Sequence, residues 1–118
     1  ARIDDVANFI PARISVLIIS LGAVLFSFKR GVLSLKTGFS QGSLHKSPNA
    51  GYPEAAFAGA LKIRLGGPNV YHGVLVEKPY IGKEFKDPKK GKIKQACDLM
   101  MFSSLLAMLI ACFILFIF

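Results

Sequence analysis

Residues 14–28 and 99–118 form two long apolar runs without a single charged side chain, and 13 of the 15 Lys and Arg residues lie between them. A soluble core mixes apolar and charged residues at helix or strand period. Here the two kinds occupy separate stretches, the signature of membrane-spanning helices joined by a polar loop. Only this segregation lets a mean hydropathy of +0.49 coexist with a net charge of +8. A chain of 118 residues is one domain at most. Two helices enclose little core, so partner helices are expected from another chain or from further sequence. The chain begins at Ala1 with no charged start and cleavage site of a signal peptide, and it is expected to be a piece of a longer protein.

The first apolar run is about 22 Å long as a helix, too short to span. Extended back over residues 6–28 it reaches about 35 Å, so the helix is predicted to take in the polar segment before it. Pro11 then marks a kink or a second start. Asp4 and Asp5 suit a helix N-terminus, where negative charge meets the positive end of the dipole. On an unbroken helix Asp4, Asp5 and Asn8 fall within about 100° of arc, and Arg13 lies about 80° from Asp5. The simple reading is a capping pair with a snorkelling arginine. The functional reading is a divalent-metal or amine site, because oxygen ligands on one face suit Mg²⁺ and polar groups at membrane depth are costly.

Lys29, Arg30 and Gly31 read as the end of that helix, and residues 33–39 as a short interfacial helix. Residues 29–96 carry 13 basic and 4 acidic side chains, a net of +9. By the positive-inside rule this loop faces the cytoplasm. Pro53 and Glu54 are helix-start signals, and Gly66-Gly67-Pro68 is a stop, which predicts a helix over 53–65. That is about 20 Å, too short to cross a bilayer, so the helix is re-entrant or interfacial. Ala55/Gly59 and Ala56/Ala60 are small-xxx-small pairs that permit close backbone packing. Lys78-Pro79-Tyr80-Ile81-Gly82 reads as a fixed turn. The lysines from Lys89 to Lys94 are explained by anionic headgroups, leaving no need for nucleic acid. Residues 97–118 are the second span. Cys97 and Cys112 stand about 22 Å apart on it, beyond disulfide reach, and are expected to be buried thiols.

The polar chemistry concentrates in His45-Lys46-Ser47-Pro48-Asn49-Ala50-Gly51-Tyr52-Pro53-Glu54 and in Leu65-Gly66-Gly67-Pro68-Asn69. Ser47 and Asn49 precede a helix start, where free N–H groups attract anions. Gly66, Gly67 and Asn69 offer a second potential nest of N–H groups. His45, Arg64 and Lys78 add positive charge, and Glu54 a carboxylate. There is no G-x-x-x-x-G-K-[ST] and no G-x-G-x-x-G. A triad of Ser47, His45 and Asp4 has no local spacing to support it.

Several stretches together resemble the C-terminal part of adenosylcobinamide-phosphate synthase, the CbiB/CobD family of membrane enzymes in cobalamin biosynthesis. They are Ala1-Arg2-Ile3-Asp4-Asp5-Val6-Ala7-Asn8-Phe9-Ile10-Pro11-Ala12-Arg13, Ser47-Pro48-Asn49-Ala50-Gly51, Leu65-Gly66-Gly67-Pro68-Asn69 and Lys78-Pro79-Tyr80-Ile81-Gly82, in the family's order and spacing. Family members are longer and carry further membrane helices upstream.

The resemblance implies an all-α integral membrane protein of the cell membrane, multi-pass. Two transmembrane helices would flank a basic cytoplasmic loop carrying a short re-entrant or interfacial helix, as one part of a larger helical bundle. It implies amide ligation of adenosylcobyric acid, a corrinoid, with (R)-1-aminopropan-2-ol or its O-phosphate. A carboxylate does not condense with an amine in water unless activated, so ATP with Mg²⁺, through an acyl phosphate, is the implied route. Carried onto this chain, Asp4, Asp5 and Asn8 would hold Mg²⁺ or orient the amine. Arg13, His45 and Arg64 would stabilise phosphate or a developing oxyanion. Ser47, Asn49, Gly66, Gly67, Asn69 and Lys78 would cradle phosphate or corrin amides, and Glu54 would act as metal ligand or base. The alternative is a non-catalytic membrane module that binds a corrinoid or scaffolds other enzymes of the pathway.

Overall fold

Asp4 and Asp5 sit in the first turn of α1, Arg2–Val24, a 23-residue helix that runs unbroken through Pro11. The structure, a computed structural model, describes residues 2–44 and 49–118. Helix α1 stops four residues before the expected end. The N–H groups of Leu25 and Phe26 close back onto the carbonyls of Gly22 and Ala23. Ser27 then takes an extended conformation, and its hydroxyl accepts from the Arg30 N–H. That is an N-cap, and it starts α2, Phe28–Gln41. Lys29, Arg30 and Gly31 therefore open a second helix instead of closing the first, which corrects the expected boundary. The interfacial helix expected at 33–39 is the middle of this 14-residue element.

Helix α2 buries Gly31, Ser34, Thr37 and Gly38, all small residues on one face. A single 3-10 turn, Gly42–Leu44, follows it. Helix α3, Gly51–Leu61, lays its buried Ala55, Ala56, Ala58, Gly59 and Ala60 against its neighbours. A Cβ at Gly59 would stand 2.5 Å from the Leu33 carbonyl oxygen, so the two backbones touch where the small-xxx-small pairs predicted close packing. Ser34 ties three helices together in this dry contact. Its hydroxyl donates to the Ala56 carbonyl at 2.8 Å and accepts from Ser20 of α1 at 3.3 Å. Ser20 also bonds Val16, and Ala56 belongs to its own helix ladder, so Ser34→Ala strands neither fully. Its expected cost is about 1 kcal/mol, read as a shifted melting midpoint in detergent.

Helix α3 ends at Leu61, short of the predicted Leu65, because Lys62 takes the left-handed conformation with φ of 55°. The chain then leaves helical geometry altogether. β1, Leu65–Gly66, pairs antiparallel with β4, Tyr80–Ile81. Between them β2, Asn69–Tyr71, pairs with β3, Val74–Val76, across His72 and Gly73. Both turn residues have positive φ, as a two-residue hairpin turn of the primed type requires. These two small sheets correct the all-α expectation, and the supposed turn at 78–82 is in part a strand. Residues 65–82 alternate Gly and Pro with β-branched and aromatic side chains, a composition poor in helix formers.

Helix α4, Gly91–Ile117, has 27 residues and begins six residues before the predicted start. It packs on α1 through Leu99 and Ser103, with the Ser103 hydroxyl close under Gly22. Leu99 joins Val16, Ile19, Ala23, Ala56, Ala60, Leu61 and Ile63 in the main core. From Met108 onward every residue of α4 is exposed. Cys97 and Cys112 are free thiols, but both are exposed and not buried as expected, because they lie on faces of α4 that this chain does not cover. The fold is mostly helical, and Ile3–Val24 and Gly91–Ile117 are long and apolar enough to cross a membrane.

Candidate functional site

Three residues from distant parts of the chain meet between the first turns of α1 and the start of α3. Asn49 is buried, with 8% of its surface exposed. Its side-chain oxygen accepts from Arg13 Nη1 at 3.1 Å, and its Nδ2 donates to the Asp5 carbonyl at 2.8 Å. The amide thus bridges a cation to the backbone of an acidic turn, which sets which end is oxygen and which nitrogen. Arg13 Nη1 also donates to the Phe9 carbonyl at 2.8 Å. Its guanidinium lies between two rings, 3.5 Å from the Phe9 centroid and 4.2 Å from that of Tyr52. Such stacking suits the flat, weakly hydrated guanidinium. Arg13 is held in place by these contacts, which use the donors of Nη1 alone among its three nitrogens.

Beside this junction is a cleft of about 420 Å³ lined by Asp4, Asp5, Asn8, Ser15, Asn49 and Pro53, among others. Asn8 Nδ2 donates to both the backbone and the side-chain oxygen of Asp4, at 2.9 and 3.0 Å. The expected Asp4–Asp5–Asn8 face is therefore real, and Asn49 completes it from the other side. The donors are all hard oxygens or amides. Among the described residues no three His, Cys, Asp or Glu side chains gather around one point. Asp4 and Asp5 are the carboxylates that line this cleft, the ligand type that Mg²⁺ takes one or two of.

The remaining expected residues lie elsewhere. Glu54, Gly66, Gly67, Asn69, Tyr71 and Lys78 line a second cleft of about 470 Å³ between α3 and the strands. Gly67 has φ of 86°, and a Cβ there would run into the Tyr80 ring at 2.2 Å, so only glycine fits. The Gly67 N–H donates to the Pro79 carbonyl, and Asn69 Oδ1 accepts from the Val70 N–H, so these two groups shape the turn that walls this cleft. Arg64 stands apart from both clefts. It pairs with Asp87 and stacks 4.7 Å from the Tyr80 centroid. His45 and Ser47 lie outside the described residues.

Tyr52 and Tyr71 were not anticipated. Tyr52 is the second wall around Arg13, and its only local signal was an aromatic residue just before Pro53. Tyr71 accepts a hydrogen bond from Lys78 Nζ at 3.1 Å, with the ammonium 4.6 Å from the ring. That hydrogen bond first, and the lysine's charge second, draw the Tyr71 phenol below the ordinary tyrosine value. Tyrosine titration by ultraviolet difference absorbance should show a phenol ionising early, and Lys78→Met should return it to the ordinary range. A titration unchanged by that substitution would remove the contact from solution.

Comparison with known proteins bears on most of the chain. The family described as CobD/Cbib protein matches residues 1–100. "Cobalamin biosynthesis protein CobD" of Klebsiella pneumoniae is 51% identical over 108 residues, covering 92% of this chain and 34% of its own length. The protein of the same name from Yersinia enterocolitica is 46% identical over 110 residues, 93% of this chain and 34% of that protein. "Cobalamin biosynthesis protein CbiB" of Salmonella typhimurium is 44% identical over 108 residues, 92% of this chain and 34% of the relative. The chain therefore spans about a third of the length of the curated relatives it matches. No solved structure matches it. The polar junction of Asp5, Arg13 and Asn49 thus falls within the matched residues 1–100, and the chain belongs to the CobD/CbiB family.

Proposed function

We propose that this chain is part of a membrane enzyme of cobalamin biosynthesis that joins a corrinoid carboxylate, that of adenosylcobyric acid, to (R)-1-aminopropan-2-ol or its O-phosphate. The names of the relatives support the pathway. The observation that carries the placement of the chemistry is the Arg13–Asn49–Asp5 junction, which draws two separate polar stretches into one cleft. ATP would supply the activation that a carboxylate needs before an amine can displace its oxygen, which leaves as phosphate beside ADP, and Mg²⁺ would screen the phosphate charge. Asp4 and Asp5 would hold that ion, with Asn8 fixing the Asp4 carboxylate. Arg13 and Asn49 set the spacing of the cleft walls. In this reading the amine is held in the neighbouring cleft, where Glu54 would take the proton that the ammonium must lose before its nitrogen can attack, and Lys78 would meet an anionic substrate group.

The helices Ile3–Val24 and Gly91–Ile117 cross the cell membrane in this reading, with the lysines that precede and open α4 on the cytoplasmic side. Residues 29–96 do not form one cytoplasmic loop, because Asn49 returns to Asp5 at the far end of α1. Their uncovered apolar faces meet lipid and the further helices of the complete enzyme. Asp5→Asn tests the site with little risk to the fold, since the Asn49 bond uses the Asp5 backbone carbonyl and not its carboxylate. In the complete enzyme this substitution should lower amide product formation by at least about a hundredfold. Near-normal turnover sinks the assignment. Tight corrinoid binding by the unsubstituted protein with no ATP-dependent product would instead favour a binding module.

A further inference from the structure

We propose that the cleft between the end of α3 and the start of α4 binds a phosphate group, borne by a soluble phosphate ester or by an anionic lipid headgroup. It is separate from the two clefts assigned above. Lys62, Lys86, Lys89 and Lys92 line a space of about 520 Å³, over a partly apolar floor that includes Ile63 and Phe85. The segment carrying Lys86 is fastened there by the backbone bond from Arg64 to the Lys86 carbonyl at 2.9 Å and by the Ile63–Lys86 bridge.

The charge balance in this cleft is what calls for an anion. Of its two carboxylates Asp87 is paired with Arg64, and Glu84 accepts from the neutral Gln41 amide at 2.8 Å, which leaves four lysines against one uncompensated carboxylate. Among the described residues none of the four lysine ammonium groups makes a hydrogen bond or an ion pair. Lys92 is partly buried, and the like charges of Arg30 and Lys62 bear on it. A phosphate brings one negative charge as a diester and close to two as a monoester, with acceptor oxygens for several ammonium groups at once.

Lys62 is the second observation. It sits at the C-cap of α3 with φ of 55°, a left-handed position that glycine ordinarily fills without strain. A cation there also meets the negative end of the α3 dipole, but the dipole accounts for one cation and not four. The cleft also lies at the first turn of the long apolar helix α4, the level at which a headgroup would stand if that helix spans.

Lys62→Gly separates binding from folding, because glycine relieves the left-handed backbone while removing the charge. The complete protein would be placed in phosphatidylcholine nanodiscs and its lysines acylated in a timed reaction read by mass spectrometry. Lys94 is the reference, since it is paired only with Asp98 on the outer surface of α4. Inorganic pyrophosphate in the buffer is one probe and phosphatidate in the disc is the other. Acylation of Lys62 and Lys92 should slow about tenfold relative to Lys94 with one of them, and Lys62→Gly should weaken the protection of Lys92 about tenfold. Protection by pyrophosphate identifies a soluble ester, and protection by phosphatidate alone identifies a headgroup. The proposal is overturned if neither probe protects, if Lys94 is slowed equally, or if Lys62→Gly leaves protection unchanged.

Discussion

Asn49→Ala in the complete enzyme is expected to lower amide formation by about a hundredfold or more, with a modest loss of stability. Asn49 is the only described side chain that holds Arg13 and the first turn of α1 at once. Alanine removes both bonds and leaves Arg13 with the Phe9 carbonyl and two rings, which fix its plane but not the distance to Asp5. Misplacing a cleft wall by about 1 Å is enough for a hundredfold loss of rate. The part-buried bond to the Asp5 carbonyl is also lost, which costs about 1 kcal/mol. Turnover and melting should be measured together. A hundredfold fall with a folded protein supports a positioning role, whereas full turnover would take the junction out of the mechanism. Asn49→Asp makes a finer test, since it keeps an acceptor for Arg13 but loses the donor to Asp5. It should restore part of the melting loss and little of the rate.

Gly59→Leu is expected to prevent stable packing of α3 on α2. The first carbon of any side chain there stands 2.5 Å from the Leu33 carbonyl oxygen and 2.8 Å from Thr37. A flexible side chain could swing away, but a backbone oxygen moves only if α2 moves, and α2 also carries the Ser34 bonds. Overpacking of this kind costs about 3 kcal/mol or more, a large share of an ordinary domain's stability of about 5–15 kcal/mol. Gly59→Ala sharpens the test. At an open helical site that change stabilises by about 1 kcal/mol, whereas here the clash should reverse its sign. A higher melting temperature for Gly59→Ala would show that the two helices do not approach this closely.

The parts of the site that could be read from spacing were those made within one element. Asp4 and Asn8 are four apart on α1, so helical period alone brings them together, and their hydrogen bond follows. The small residues of α3 announced close packing in the same way, though not against which helix. Boundaries were read less well. Lys29, Arg30 and Gly31 look like a helix end, and the run from 14 to 28 has no break visible in its hydropathy. What separates α1 from α2 is local: Leu25 and Phe26 close the first helix, and the Ser27 hydroxyl accepts from the Arg30 N–H to start the second. The hairpin was missed because His72 and Gly73 make a tight turn only when strands are there to close on it.

The sequence by itself determined two apolar helices, a basic middle, the acidic face of α1 and the motifs that mark the family. All of these depend on periodicity or on residues close together in the chain. Only the tertiary structure decided that Asn49 meets Arg13 across 36 residues and Asp5 across 44. It also divided one expected site into two clefts, removed Arg64 from both by pairing it with Asp87, and gathered four lysines at the foot of α4. Such contacts depend on which small faces can approach, at Gly38, Gly59 and Gly22, and on how closely their backbones then stand. That distance is a property of three helices packed together, and no one of them carries it alone.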